Sequence, residues 1–168
     1  MTSAVQLYSL KIKDVKTYFF AILFIGGNIL LPRLCHSIPN GGHIFLPIYF
    51  FTLIGAYKYG WKVGMLTAIG SPIINHILFG MPPTAVLPAL LVKSSLLAVG
   101  AAYAAYRFKK VSLLLLFGVV LFYQIAGCLI ESAIHASFAV GFQDFVTGIP
   151  GMLIQILGSY ALLRYVLR

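Results

Sequence analysis

The sequence predicts an all-α integral membrane bundle of six transmembrane helices with both termini cytoplasmic, and three observations carry that expectation. Hydrophobic residues make up 61% of the 168, charged residues only 9%, and the mean hydropathy is +0.99. A soluble domain of this size could not hide so much apolar surface. Short breaks rich in Gly, Pro and Lys cut the chain into apolar stretches of roughly 20 residues, the length a helix needs to cross a bilayer. The cations are sorted by side: Lys11, Lys13, Lys16, Lys58, Lys62, Arg107, Lys109, Lys110, Arg164 and Arg168 fall on one side of a six-span path, leaving Arg33 opposite and Lys93 inside a span. Lys and Arg concentrate in cytoplasmic loops, which sets the orientation in the plasma (bacterial inner) membrane.

The first span is expected over 17–35, after Lys11, Lys13 and Lys16. It resembles a signal peptide, and Leu31-Pro32-Arg33-Leu34-Cys35 resembles a lipoprotein site, but Arg33 beside the would-be cleavage point argues for an uncleaved span. Pro39-Asn40-Gly41-Gly42 separates it from a second span over 43–58, and Tyr57-Lys58-Tyr59-Gly60-Trp61-Lys62 turns the chain into a third over 62–80. Gly80-Met81-Pro82-Pro83 leads to a fourth over 84–106, Arg107-Phe108-Lys109-Lys110 to a fifth over 111–136, and Gly141-Phe142-Gln143-Asp144 to a sixth over 145–166. Residues 1–168 therefore read as one transmembrane domain. His36 and His43 read as loop residues, and Asp144 is assigned to an outer connection.

Several function classes are excluded on composition. The net charge of +9 comes without any basic stripe interleaved with aromatics, so no nucleic-acid partner is expected. The chain has no GxSxG, HExxH or P-loop, and three carboxylates in total leave almost no material for paired-carboxylate chemistry. Ser71 or Ser132 with His135 can be drawn as a hydrolase pair, but no motif supports it. Cys35 and Cys128 lack metal-ligand spacing. An enzyme, a bound metal and a cofactor are not expected.

Polar side chains gather instead at one depth. With a rise of 1.5 Å per residue, Asn75 and His76 lie roughly 20 Å above the inner surface and Lys93 roughly 13 Å below the outer one. Gln124, Glu131 and His135 climb span five, Gln155 lies on span six, and Asn28 on span one is comparably deep. Gln124, Cys128, Glu131 and His135 are spaced by 4, 3 and 4, a single helical stripe. A bilayer interior tolerates such groups only around a cavity or in a paired network. Lys93, Asn75, His76, Gln124, Glu131, His135, Gln155 and Asn28 are therefore the candidate ligand-binding residues. Stripes of Thr67, Ser71 and Ser159 read as helix-packing faces. For Lys93 itself three roles stand: a bridge to Glu131, snorkelling to outer headgroups, or contact with an anionic group of a ligand. A carboxylate-bearing ligand is the expectation that the last role generates.

A small, basic, six-span protein with polar groups toward the outside resembles the substrate-binding S component of an energy-coupling factor (ECF) vitamin transporter. The stretch 44–105 carries most of the likeness: Leu46-Pro47-Ile48 opening span two, Gly55, Gly60 and Gly64 around a basic cytoplasmic turn, then Leu78-Phe79-Gly80 and a proline-rich outer turn. The resemblance implies high-affinity binding of a vitamin or related micronutrient under closing outer loops, and uptake with a separate transmembrane coupling protein and two ATPases. In that family an AxxxA pattern on the first helix meets the coupling protein; here Ala21 is followed at the fourth place by Ile25, with Gly26 and Gly27 beyond. A self-sufficient small transporter or channel, and a membrane scaffold without ligand, are the other classes the sequence leaves open.

Overall fold

The computed structural model describes residues 7, 9–35, 44–134 and 136–166, and these are helical with no strand among them. Helix α1 (Val15–Cys35) starts where the Asp14 carboxylate accepts the Lys11 amide at 2.9 Å and the Asp14 carbonyl accepts the Thr17 amide at 2.9 Å. Its buried stripe is Thr17, Ala21, Phe24 and Asn28, the 4-3-4 spacing of one helical face. Phe19, Ile22, Leu23, Leu30 and Leu34 on its other sides are exposed, as a lipid-facing helix requires.

The expected second span is much shorter than the sequence pattern implies. A 3-10 turn (Pro47–Tyr49) leads into α2 (Phe50–Tyr59), whose 10 residues rise only about 15 Å, half of a hydrocarbon core. The cause lies at Leu46-Pro47. Proline brings no amide to a preceding helical turn, and Leu46 sits at φ 47, left-handed backbone that an L-residue adopts at a cost. Every residue of α2 from Thr52 to Tyr59 is buried, so it runs through the middle of the bundle rather than along its surface.

Gly60 turns the chain into α3 (Trp61–Phe79), which closes on Gly80 at φ 65, with the Gly80 amide donating to the His76 carbonyl at 2.8 Å. That left-handed C-terminal cap is the conformation glycine alone adopts without penalty. Helix α4 (Leu87–Phe108) has a proline in its first turn, where the missing amide costs nothing. Helix α5 (Leu113–Ile134) follows. The region expected as an outer loop before span six is instead a separate helix, α6 (Phe138–Thr147), joined at Gly148 to α7 (Ile149–Ala161), which a π-turn extends over Leu162–Val166. Gly141, read from the sequence as a turn signal, serves close packing: a Cβ there would strike the Cys128 carbonyl of α5.

Among the described residues five helices are long and apolar enough to cross a membrane: α1, α3, α4, α5 and the Ile149–Val166 segment. Helix α2 packs against α1, α3, α4 and α7, while α5 packs against α4, α6 and α7. Three basic segments meet at one end of the bundle, where the Leu10 amide donates to the Tyr59 carbonyl at 3.3 Å and the Tyr57 hydroxyl to the Lys110 carbonyl at 2.7 Å.

The tightest crossing lies at Gly64, where a Cβ would overlap that of Ala56, come within 2.8 Å of its Cα, and lie 3.3 Å from the Ala98 Cβ. Main chain cannot yield as a side-chain tip can. Gly64→Val should therefore destabilise the bundle by about 1–3 kcal/mol, read as a lowered midpoint of thermal unfolding in detergent, whereas Gly118→Val, where a Cβ meets nothing, should leave it unchanged.

Candidate functional site

Lys93 is on the buried side of α4, 5% exposed, and its Nζ donates to Glu131 Oε2 of α5 at 2.5 Å and to Asp144 Oδ2 of α6 at 2.6 Å. The acidic side chains are 11% and 20% exposed. One cation thus ties three helices together. Its route is made by Gly127, a turn below Glu131 on α5: a Cβ there would lie 2.5 Å from Lys93 Cγ and 2.7 Å from its Cε. The lysine stem runs across the helix where a side chain is missing. Of the three roles open for Lys93, pairing with Glu131 is present, and Asp144 is a second partner.

The cluster forms part of the wall of a cavity of about 530 Å³, within the size range of small-molecule sites. Leu46, Pro47, Ile48 and Tyr49 come from the bend before α2, Asn75 and Phe79 from α3, Pro82, Pro83 and Val86 from the α3–α4 turn, Leu90 and Lys93 from α4, Glu131 and Asp144 from α5 and α6, and Pro32 and Arg33 from α1. The breaks in regular structure, not the spans, supply most of the apolar lining. Arg33 lies with its guanidinium 4.0 Å from the centre of the Phe79 ring, a cation–π contact on the α1–α3 side.

Of the residues singled out from the sequence, Lys93, Asn75 and Glu131 line this cavity. Asn28 does not. Its Nδ2 donates to Thr52 Oγ1 and Ser71 Oγ, each at 3.0 Å, and its Oδ1 accepts the Phe51 amide at 3.1 Å, so its side chain knots α1, α2 and α3 together. Gln155 is likewise spent on structure: its Oε1 accepts from the Tyr123 hydroxyl at 2.9 Å and its Nε2 donates to the Leu46 carbonyl at 3.3 Å. His76 Nδ1 lies 2.7 Å from the Pro82 carbonyl; since a carbonyl only accepts, that nitrogen carries the proton and braces the α3–α4 turn. Gln124 is 1% exposed, lies outside the cavity lining, and neither of its amide atoms has a hydrogen-bond partner among the described residues. His135 lies outside the described residues, as do His36, Asn40 and His43.

Sequence reasoning missed Asp144, Tyr49 and Arg33 as members of this wall. Asp144 left one signal. The chain has three acidic residues, Asp14 belongs with the basic N-terminal segment, and a buried lysine would draw on both of the others. The arrangement can hold charge and hydrogen-bond a polar ligand. Among the described residues no three His, Cys, Asp or Glu side chains group as a metal site.

Removing one partner of a buried pair leaves the others uncompensated. Lys93→Ala should cost about 3–5 kcal/mol, seen as a large drop in thermal unfolding midpoint, and Lys93→Met combined with Glu131→Gln and Asp144→Asn should regain most of it because no unpaired charge remains. A triple variant no more stable than Lys93→Ala would show that the cluster does not set stability.

Comparison with protein-family models, with curated proteins and with solved structures finds no match for this chain.

Proposed function

We propose that the protein is a membrane binding subunit that captures a vitamin or related micronutrient in its cavity and delivers it into the cell with a separate ATP-driven module. The observation that carries this reading is the cavity itself: about 530 Å³, lined by apolar residues from irregular segments, with a few converging polar groups at its buried end. An inert scaffold has no use for such a space. Its apolar wall suits a ring or short chain, and its polar end would fix orientation.

On this reading the chain crosses the plasma membrane six times, α2 and the residues before it making the second crossing, with both termini in the cytoplasm. The meeting of basic segments at the end of the bundle around Tyr57 and Lys110 supports that orientation, since cations favour the cytoplasmic face. The cavity, bounded by the α3–α4 turn and by α6, is then on the outer side. The energising partners are a transmembrane coupling protein and two ATPases. Ala21 is buried against the bundle, so the docking surface on α1 falls to its exposed side, where Phe19, Ile22, Leu23 and Leu30 surround Gly26.

Purification in mild detergent followed by native mass spectrometry should recover the protein with a small molecule bound, and affinity purification from its source membrane should bring ATPases with it. A chain that is uniformly empty, is unstabilised by a vitamin panel and binds no ATPase would refute the proposal. Uptake by the isolated chain in proteoliposomes without ATP would instead identify a self-sufficient transporter.

A further inference from the structure

The polar atoms left over at the buried end of the cavity are nearly all of one kind. Lys93 spends two of its three donors on Glu131 Oε2 and Asp144 Oδ2, leaving one N–H against several acceptors, and one ammonium with two carboxylates sums formally to one negative charge. Glu131 Oε1 and Asp144 Oδ1 accept no hydrogen bond from a described residue, and neither is sealed in the protein. Asn75 adds a third acceptor. It is 5% exposed and lines the cavity, and its Nδ2 is committed to the Asn28 carbonyl at 3.2 Å and the Ser71 carbonyl at 3.0 Å. Because both partners only accept, the amide orientation is fixed, and Oδ1 is left without a partner among the described residues. The Tyr49 hydroxyl can donate or accept and does not discriminate.

The free positive charge is elsewhere. Arg33 has no ion pair among the described residues, and it enters the lining from α1, which packs on α2 and α3, while the cluster comes from α4, α5 and α6. Arg33 is exposed, whereas Lys93, Glu131 and Asn75 are buried. The cavity is therefore polarised, acceptors and net negative charge inside, a guanidinium outside.

From this polarity we infer that the buried end of the ligand is a positively charged, hydrogen-bond-donating nitrogen group, such as an ammonium, an amidinium or a protonated heteroaromatic ring. Any anionic group on the same molecule stays at the exposed side beside Arg33. This reverses the expectation of a carboxylate on Lys93, since a further anion would meet a site already net negative, with its one cation occupied. The inference rests on the reading of the cavity as a ligand site.

Three probes that share a ring and differ in their head group test it: benzamidine, benzyl alcohol and benzoate, titrated against the protein in lipid nanodiscs. Benzamidine should bind at least ~10-fold more tightly than benzyl alcohol, and benzoate no more tightly than the alcohol. Asp144→Asn should remove most of that preference. Lys93→Met, which deletes the competing cation, should bind benzamidine more tightly than the unmodified protein and be stabilised by it. Tighter binding of benzoate than of benzamidine, or loss of benzamidine binding in Lys93→Met, would overturn the inference while leaving a ligand-capture role intact. If none of the three binds, the inference fails, and the ligand-capture reading is decided separately by the native mass spectrometry and the vitamin panel. Should a variant not fold, the order of the three probes on the unmodified protein decides alone.

Discussion

The ammonium of Lys93 cannot enter an apolar bundle by itself, at a cost of roughly 2.5–3.5 kcal/mol on insertion scales, and the two carboxylates that meet it bring three helices to one point. That requirement explains the least regular part of the fold. Helix α6 is short and its residues Phe138, Val140, Phe142 and Val146 are exposed, yet Asp144 is held inward against α4 and α5. The ion cluster anchors α6 to the bundle, and Gly141, three residues earlier on the same face, lets its backbone approach the Cys128 carbonyl. Charge and close packing act on the same ten residues.

A second constraint shapes the opposite wall. The left-handed turn at Leu46 points its carbonyl where both the Tyr49 amide, at 3.2 Å, and Gln155 Nε2, at 3.3 Å, can donate to it. Gln155 is in turn held by Tyr123. Nearby, Asn28 answers the Phe51 amide in the first turn of α2, where no intrahelical acceptor exists. Buried amides thus serve backbone groups freed by the break at Leu46-Pro47, and the break keeps α2 short enough to leave open space beside it. The cavity is what remains when a spanning helix stops halfway.

These dependencies show why the sequence was readable in some places and not in others. Four of the five helices long and apolar enough to span a membrane lie within a few residues of where hydropathy and punctuation put them, because a bilayer imposes a length that composition reports directly. The same length rule misread α2 and α6, whose extents are set by a proline and by contacts across the bundle. Lys93 and Glu131 could be paired from depth and scarcity alone. Asn28 and Gln155 could not be told from ligand contacts, since their partners are hydroxyls on other helices and main-chain groups, neither of which the sequence marks as theirs. Asp144 was hidden by an assignment one step earlier: once 141–144 is read as a turn, its carboxylate is placed in water and drops out of the search.

Gly127 carries a consequence for how such a chain could have arisen. Its missing side chain is the channel through which Lys93 crosses α5, so positions 93 and 127 are a single unit of inheritance. A lysine appearing opposite a larger residue would have nowhere to lie, and a larger residue appearing later would expel the lysine and strand its two carboxylates. With Lys93 lying where it does, position 127 has no room for a side chain. Descendants of this chain that have exchanged Lys93 for another residue are the ones free to vary at 127, and the history of the ion cluster is written in a position that bears no charge.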